Sequence, residues 1–242
     1  VDFGIGLAMI AVFHFIWHWN YYYKILKADW KTPANEGSTR EEAVFSDDKN
    51  PKIEIFQLLP VFALGMTAII TQVILLREFM SIFMGNELVI GTILPNWMIL
   101  TGLGACLGKN SGKIIQSDRF VFYAMALSGR MPIMSVILLN YLKNIIFPVG
   151  TLVSFLQVFY LSFVLLLPFC ILSGFLFTFY TGLLSRKYRT NLISKVYSIE
   201  AAGSLAAGIL YSFVLVYFFR SLQSLAISLA LNVTIAIIYT RT

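Results

Sequence analysis

The segment LLLPFCILSGFLFTFY, Leu165–Tyr180, decides the fold class of this chain. It contains no Asp, Glu, Lys or Arg, and it belongs to a longer apolar stretch that runs from about Leu152 to Leu184. A helix needs about 20 consecutive apolar residues to cross the hydrocarbon core of a bilayer. The stretch therefore predicts a transmembrane helix, long enough to tilt or to bend at Pro168.

The composition extends this prediction to the rest of the 242 residues. Hydrophobic residues make up 58% of the chain and charged residues only 12%, with a mean hydropathy of +0.79. A soluble domain carries about 25% charged residues. We therefore predict an all-α fold, a polytopic helical bundle surrounded by membrane lipid. The net charge of +6 does not indicate a nucleic-acid partner, because no basic stripe interleaved with aromatic residues accompanies it.

Seven transmembrane helices are predicted from the apolar stretches. The first gives an N-terminal His-bearing region, residues 1–27, and a polar loop, residues 28–55, follows it. The other six form one membrane domain, residues 56–242, in which Pro132 is expected to kink or delimit its span. The predicted spans are Phe3–Leu26, Phe56–Phe79, Glu87–Gly108, one within Phe120–Phe147, Leu152–Leu184, Val196–Phe219 and Leu222–Tyr239.

Lys and Arg residues are distributed unevenly between the two sets of loops. They cluster after the first, third and fifth spans, whereas the opposite loops hold only Lys143 and Arg220. Cytoplasmic loops of membrane proteins carry an excess of Lys and Arg. The asymmetry predicts a multi-pass membrane protein with its N-terminus outside and its C-terminus cytoplasmic.

A charged hairpin joins the second and third spans within LLREFMSIFMGNELVIG, Leu75–Gly91. Asn86 can cap the third span, and Glu87 then lies where the helix dipole favours an anion. Arg77 can pair with Glu78 or Glu87 across the turn. The favoured interpretation is that these four polar residues are buried and structural. The alternative is a polar site on the outer face for a substrate or a partner protein, because charges in membrane segments are functional candidates.

A second polar position lies in the sixth span, within YSIEAAGSLAAGILYSF, Tyr197–Phe213. Glu200 is about one turn inside the predicted cytoplasmic end, and the Ala, Gly and Ser residues around it form a face that lets helices approach closely. Arg130 is predicted near the same side, so it can form an ion pair with Glu200. We expect both residues to be buried and structural. Helix packing is also the expected role of Gly102, Gly104 and Gly108.

Three segments of the chain resemble one protein family. They are TQVILLREFMSIFMGNELVIGTILPNWMILTGLGACLGK (Thr71–Lys109), LLLPFCILSGFLFTFY and SIEAAGSLAAGILYSF (Ser198–Phe213). In this order they resemble the membrane region of bacterial spermidine-synthase-like integral membrane proteins, over about Leu58–Tyr239. In that family the helices precede a cytosolic aminopropyltransferase-like domain. Its Gly-rich nucleotide-binding turn is not found in these 242 residues, so polyamine synthesis is not expected.

The first span carries the only histidines, His14 and His18. They are four residues apart and lie on one helix face, and FHFIWHWNYYYKILK resembles the His-bearing helices of small membrane b-type cytochromes. Neutral imidazole can be an axial ligand of haem iron. Two histidines one turn apart cannot hold both faces of one haem, so haem b would need a second ligand from a partner subunit. In the alternative interpretation both histidines serve helix packing.

The motifs of common catalytic sites are not found in the sequence. It has no phosphate-binding loop, nucleophile elbow, CxxC or HExxH, and Cys106 and Cys170 do not have the spacing of metal ligands. A non-catalytic function, without a metal, is therefore expected.

The leading hypothesis is a scaffold or anchor subunit of a larger inner-membrane complex. Its partners would be other membrane or periplasmic subunits, with cytochromes among the candidates. One alternative is an electron-transfer subunit whose first span contacts haem b or quinone. The other is a transporter-like protein, similar in fold to half of a major-facilitator-type transporter, that uses Arg77, Glu87 and Glu200.

Overall fold

The computed structural model describes residues 54–83, 87–109, 118–146 and 154–241, and in them it contains six helices of membrane-spanning length and no strand. The prediction of an all-α membrane bundle is confirmed, and six of the predicted spans are found. The first predicted span lies outside the described residues. The helices are α1 (Ile55–Ile82), α2 (Glu87–Gly108), α3 (Asp118–Ile146), α4 (Phe155–Lys187), α5 (Ile193–Phe218, with a π-helical turn at Tyr211–Leu215) and α6 (Ser221–Arg241).

Proline lies inside four of these helices, at Pro60, Pro95, Pro132 and Pro168. Each proline removes one backbone hydrogen bond from its helix. In lipid the other backbone groups have no water to bond, so the helix continues around the missing bond. Pro132 therefore does not delimit its span, because α3 is one helix on both sides of it, and the alternative of a kink there stays a prediction.

The buried side chains form two hydrophobic clusters. One of them, which we name the Phe179 cluster, contains side chains from the N-terminal halves of α1, α3 and α5 and from the C-terminal halves of α4 and α6. The other, which we name the Phe79 cluster, contains side chains from the opposite halves of these five helices and from the N-terminal half of α2. Consecutive helices therefore run in opposite directions, as expected for successive membrane spans.

The first three helices and the last three follow one packing pattern. The first helix of each half packs against the second helix of the other half, so that α1 contacts α5 and α4 contacts α2, while the third helices, α3 and α6, pack together. Because α1 and α4 begin in different clusters, the two halves run in opposite directions. The main pairs of the described helices thus follow the contact pattern of an inverted repeat of three plus three, although α1 also packs on α3 and α4 has no comparable contact with α6.

The pair α1·α5 is held closely together by glycine. A Cβ atom added to Gly65 would overlap the carbonyl oxygen of Glu200, and one added to Gly203 would overlap the carbonyl oxygen of Phe62. Each glycine therefore faces the backbone of the residue three positions before the other glycine. Small residues of this kind let membrane helices make backbone-to-backbone contact.

The pair α2·α4 repeats this reciprocal contact. A Cβ atom on Gly104 would overlap the carbonyl oxygen of Ile171, and one on Gly174 would overlap the carbonyl oxygen of Thr101. The spacing of three residues is the same as in α1·α5. Gly108 lengthens the contact by one turn, because a Cβ atom there would lie 2.6 Å from the carbonyl oxygen of Phe175 on α4.

Candidate functional site

A buried polar network joins α6 to the middle of α1. Asn232 donates through Nδ2 to Thr67 Oγ1 and to the Ser228 carbonyl oxygen, the latter at 2.8 Å. Ser228 Oγ donates to Thr67 Oγ1 at 3.3 Å, and Thr67 Oγ1 donates to the Ala63 carbonyl oxygen at 2.8 Å. Thr67, Ser228 and Asn232 are all buried. The network gives partners to both hydroxyl groups and to the amide nitrogen of Asn232, and it fixes α6 against α1.

A second buried contact joins α2 to α4. Asn96 donates through Nδ2 to Ser162 Oγ at 2.9 Å and to the Phe159 carbonyl oxygen at 3.2 Å. Both polar side chains are fully buried, and no donor in the described part of the chain bonds to the Oδ1 atom of Asn96. Buried polar atoms without a partner are uncommon, so Oδ1 is a candidate acceptor for a further group.

Two buried hydroxyl groups occupy equivalent positions in the two halves of the repeat. Thr71 lies six residues after Gly65 on α1, and Tyr180 lies six residues after Gly174 on α4. Both side chains are buried, and neither hydroxyl group has a hydrogen-bond partner among the described residues. These hydroxyl groups can donate to or accept from a polar ligand that enters the bundle, so they are the candidate binding groups of the repeat.

The charged hairpin of α1 and α2 differs from its prediction. Arg77 and Glu87 are exposed rather than buried, and within the described residues neither forms an ion pair. Glu78 is half-buried and is turned towards α6, where Ser221 Oγ donates to its Oε1 atom. Glu87 begins α2, as predicted. Asn86 lies outside the described residues, so its capping role stays a prediction.

The predicted pair of Arg130 and Glu200 is not found. Glu200 is half-buried on α5, where its backbone packs on Gly65, and α5 packs chiefly on α1. Arg130 is exposed on α3, a helix that packs on α6, α4 and α1. It lies ten residues after Phe120 and thirteen before Lys143, in the middle of its span. The expected position of Arg130, near the cytoplasmic side and buried, is therefore wrong.

The predictions about metal and haem concern Cys106, Cys170, His14 and His18. Among the residues described, no group of three or more His, Cys, Asp and Glu side chains could hold a metal ion. Cys106 is exposed and Cys170 is buried, and they are not bonded to each other. His14 and His18 lie outside the described residues. Their contact with haem b stays a prediction, which an optical spectrum of the purified protein with its partners would test.

Comparison of this chain with protein-family models, with curated proteins and with solved structures finds no match. The resemblance to spermidine-synthase-like membrane proteins therefore rests on the quoted segments alone. A functional assignment must come from the chemistry of the bundle. Three features of the described residues stand out: the exposed cation of α3, the two equivalent hydroxyl groups and the inverted repeat.

The buried polar residues of α6 were not predicted from the sequence. Ser224, Ser228 and Asn232 recur at every fourth position, which places them on one face of a helix. All three are buried against the bundle. This spacing was the available signal, because polar residues on one face of an otherwise apolar span mark the side that contacts other helices.

Proposed function

We propose that this protein is a non-catalytic integral membrane subunit that acts as a scaffold or anchor in a larger complex of the bacterial inner membrane. The observation that carries the proposal is Arg130, a cation exposed at the middle of α3. A charged side chain at the centre of a bilayer costs about 2.5–3.5 kcal/mol on insertion scales. A partner protein that covers Arg130 and supplies polar contacts would offset this cost.

Exposed apolar side chains support the proposal less strongly than Arg130 does. Met98 of α2 and Leu205 of α5 are examples of large side chains that point away from the bundle. In a membrane such residues can contact either lipid or protein, because lipid tails are as apolar as leucine. The charge of Arg130 distinguishes the two surroundings, since lipid tails offer it no hydrogen bond.

The proposal includes the orientation predicted from the loop charges. The N-terminus lies outside and the C-terminus lies in the cytoplasm, because Lys and Arg are concentrated in the loops that would then be cytoplasmic. In this arrangement the end of α1 and the start of α2 face outwards. A fluorescent or enzymatic reporter that works on only one side of the membrane, fused after Arg241, tests the orientation.

The size of the native particle tests the proposed function. The tagged chain is expressed at its natural level, extracted in mild detergent and weighed by light scattering or native mass spectrometry. We expect particles much heavier than the 27.3 kDa chain, with other membrane polypeptides in fixed ratios. Arg77→Gln is the control variant. It removes an exposed cation near a helix end, so it should leave the size of the particle unchanged. A free chain of its own mass would contradict the proposal.

The inverted repeat favours a second candidate, a transporter-like protein. In secondary transporters built from inverted repeats, substrates bind near the bilayer midplane between the repeats. The hydroxyl groups of Thr71 and Tyr180 have no partner among the described residues and are equivalent in this repeat. Tyr180 lies in the Phe179 cluster and Thr71 lies among residues of the Phe79 cluster, so the two groups are on opposite sides of the midplane. Thr71→Cys and Tyr180→Cys, made without the two natural cysteines, test it with a maleimide that does not cross membranes. A transporter would be labelled from both sides in turn, whereas a scaffold would not be labelled.

A further inference from the structure

Arg130 lies at mid-depth by two separate measures. It is ten residues from the nearer end of the span Phe120–Lys143, a distance of about 15 Å at about 1.5 Å per residue. Its neighbour Gly129 packs against Leu229, which lies eight residues after the start and twelve before the end of Ser221–Arg241. The arginine side chain is much shorter than this distance, so it cannot carry its charge to the membrane surface.

No acidic group among the described residues balances this charge. Arg130 forms no ion pair or hydrogen bond in the part of the chain that the structure describes. Glu78 lies inside a described span, but it is one turn from the end of α1 and accepts a hydrogen bond from Ser221. Glu200 lies inside another span, and its helix does not share an extensive contact with α3. The other acids of these residues lie at helix ends, at Glu54, Glu87 and Asp118.

The exposed residues around Arg130 form one continuous line along α3, which we name the α3 stripe. Their separations alternate between four and three residues, which is the repeat that a second helix can follow in side-by-side packing. All of them are exposed and all but Arg130 are apolar or aromatic. The α3 stripe consists of Tyr123, Leu127, Arg130, Met134, Ile137 and Tyr141.

An apolar crevice adjoins the α3 stripe. It is a cavity of about 360 Å³ between α3 and α4, lined by residues that include Met134, Tyr141 and Pro168. Ser135 Oγ donates to the Leu165 carbonyl oxygen at 2.9 Å and holds the two helices together at this position. The crevice is thus a preformed concave surface, of the kind that receives side chains of an adjoining helix.

We propose that the α3 stripe and its crevice bind one transmembrane helix of another polypeptide, and that this helix carries an Asp or Glu at mid-span that pairs with Arg130. Charge complementarity selects this occupant, because a carboxylate satisfies the guanidinium group in a medium of low dielectric constant. The inference rests on the proposed function, since it names the chemistry of the partner that a scaffold subunit would hold.

Three other occupants fit less well. Lipid tails offer no countercharge at this depth. A second copy joined through the same face about a twofold axis would bring two Arg130 side chains together. The chain's own predicted first span, Phe3–Leu26, contains no Asp or Glu. Each of these occupants would give a distinct result in a cross-linking experiment.

Site-specific cross-linking identifies the occupant. A photoreactive amino acid replaces Met134 on the α3 stripe or, as a control, Met98, which is also exposed in the middle of a span. Cross-linking is done in native membranes, and the attached peptide is sequenced. We expect Met134 alone to capture an apolar segment with an Asp or Glu within one turn of the attachment point. A segment without an acid, this chain itself, or lipid alone would overturn the inference.

Charge exchange gives the second measurement. Arg130→Glu should lower the recovered fraction of the complex by about tenfold or more, because it places two like charges together, whereas Arg130→Lys should retain most of it. A Lys at the partner's acid should restore the complex with Arg130→Glu. Each purified variant must show the melting temperature of the unchanged chain. A complex that persists with Arg130→Glu overturns this inference, whereas a wild-type chain without partners contradicts the proposed function.

Discussion

The helix pairs α1·α5 and α2·α4 have the same glycine contact but differ in what accompanies it. In each pair, two glycines lie against the backbone of the opposite helix with a spacing of three residues. In α2·α4 the buried Asn96 also donates to Ser162. In α1·α5 the added polar bond is weaker, since the half-buried Ser204 donates through Oγ to the Gly65 carbonyl oxygen at 3.2 Å.

The two pairs also differ in how much of their outer helix is buried, which is α2 in one pair and α5 in the other. In the most apolar stretch of α2, 39% of the residues are buried, whereas 22% of the residues are buried in the most apolar stretch of α5. The glycine contact therefore sets how closely two helices approach, whereas the length of the interface and its polar bonds set how firmly the outer helix is held. We expect α2 to be the more firmly held of the two, and three predictions test this difference.

The largest effect is expected for Gly174→Ala in α4. The new methyl group would overlap the Thr101 carbonyl oxygen, so α2 and α4 must separate along an interface that also contains Gly104. Overpacking of this kind costs about 1–3 kcal/mol, and we expect a loss of about 3 kcal/mol in the free energy of unfolding in mixed micelles. Gly182→Ala is the control on the same helix, because a methyl group there meets nothing within 4 Å. Equal free energies of unfolding for the two variants would contradict the predicted overlap at Gly174.

A smaller loss, about 1–2 kcal/mol, is expected for Gly65→Ala in α1. The methyl group would overlap the Glu200 carbonyl oxygen, but α5 packs chiefly on α1 and can move outwards into lipid. The measurement is the same unfolding experiment, with Gly208→Ala as the control, since its position is open. A loss as large as that of Gly174→Ala would show that α5 is held as firmly as α2.

The sequence predicted the spans well because their length and apolar composition are set by the bilayer itself. It also predicted packing roles for Gly104 and Gly108, and the structure confirms them, but the same prediction is wrong for Gly102, which is exposed. Composition shows that a helix contains small residues but not which side faces a neighbour. That side depends on rotation about the helix axis, which is fixed by the helices that pack against it.

The charged residues were predicted less well, for a related reason. Arg130 and Glu200 have opposite charges, and their pairing was a reasonable prediction from sequence. The structure instead packs α3 on α6 and α5 on α1, so the two side chains belong to different contacts. Which helices pack together, when they are far apart in sequence, depends on all the helix contacts in the bundle at once. The inverted repeat, visible in the helix contacts, was likewise not detected from sequence.

The smallest effect is expected for the polar bond that distinguishes α2·α4. A double-mutant cycle with Asn96→Ala and Ser162→Ala should give a coupling of about 0.6 kcal/mol, because hydrogen bonds between membrane helices average near this value. Asn140→Ala is the matched control, since its Nδ2 atom donates to Val136 within its own helix. A coupling near zero would mean that interface length alone holds α2 more firmly than α5. A coupling of the expected size would mean that the buried amide contributes to this difference as well, beyond the glycine contact that both pairs share.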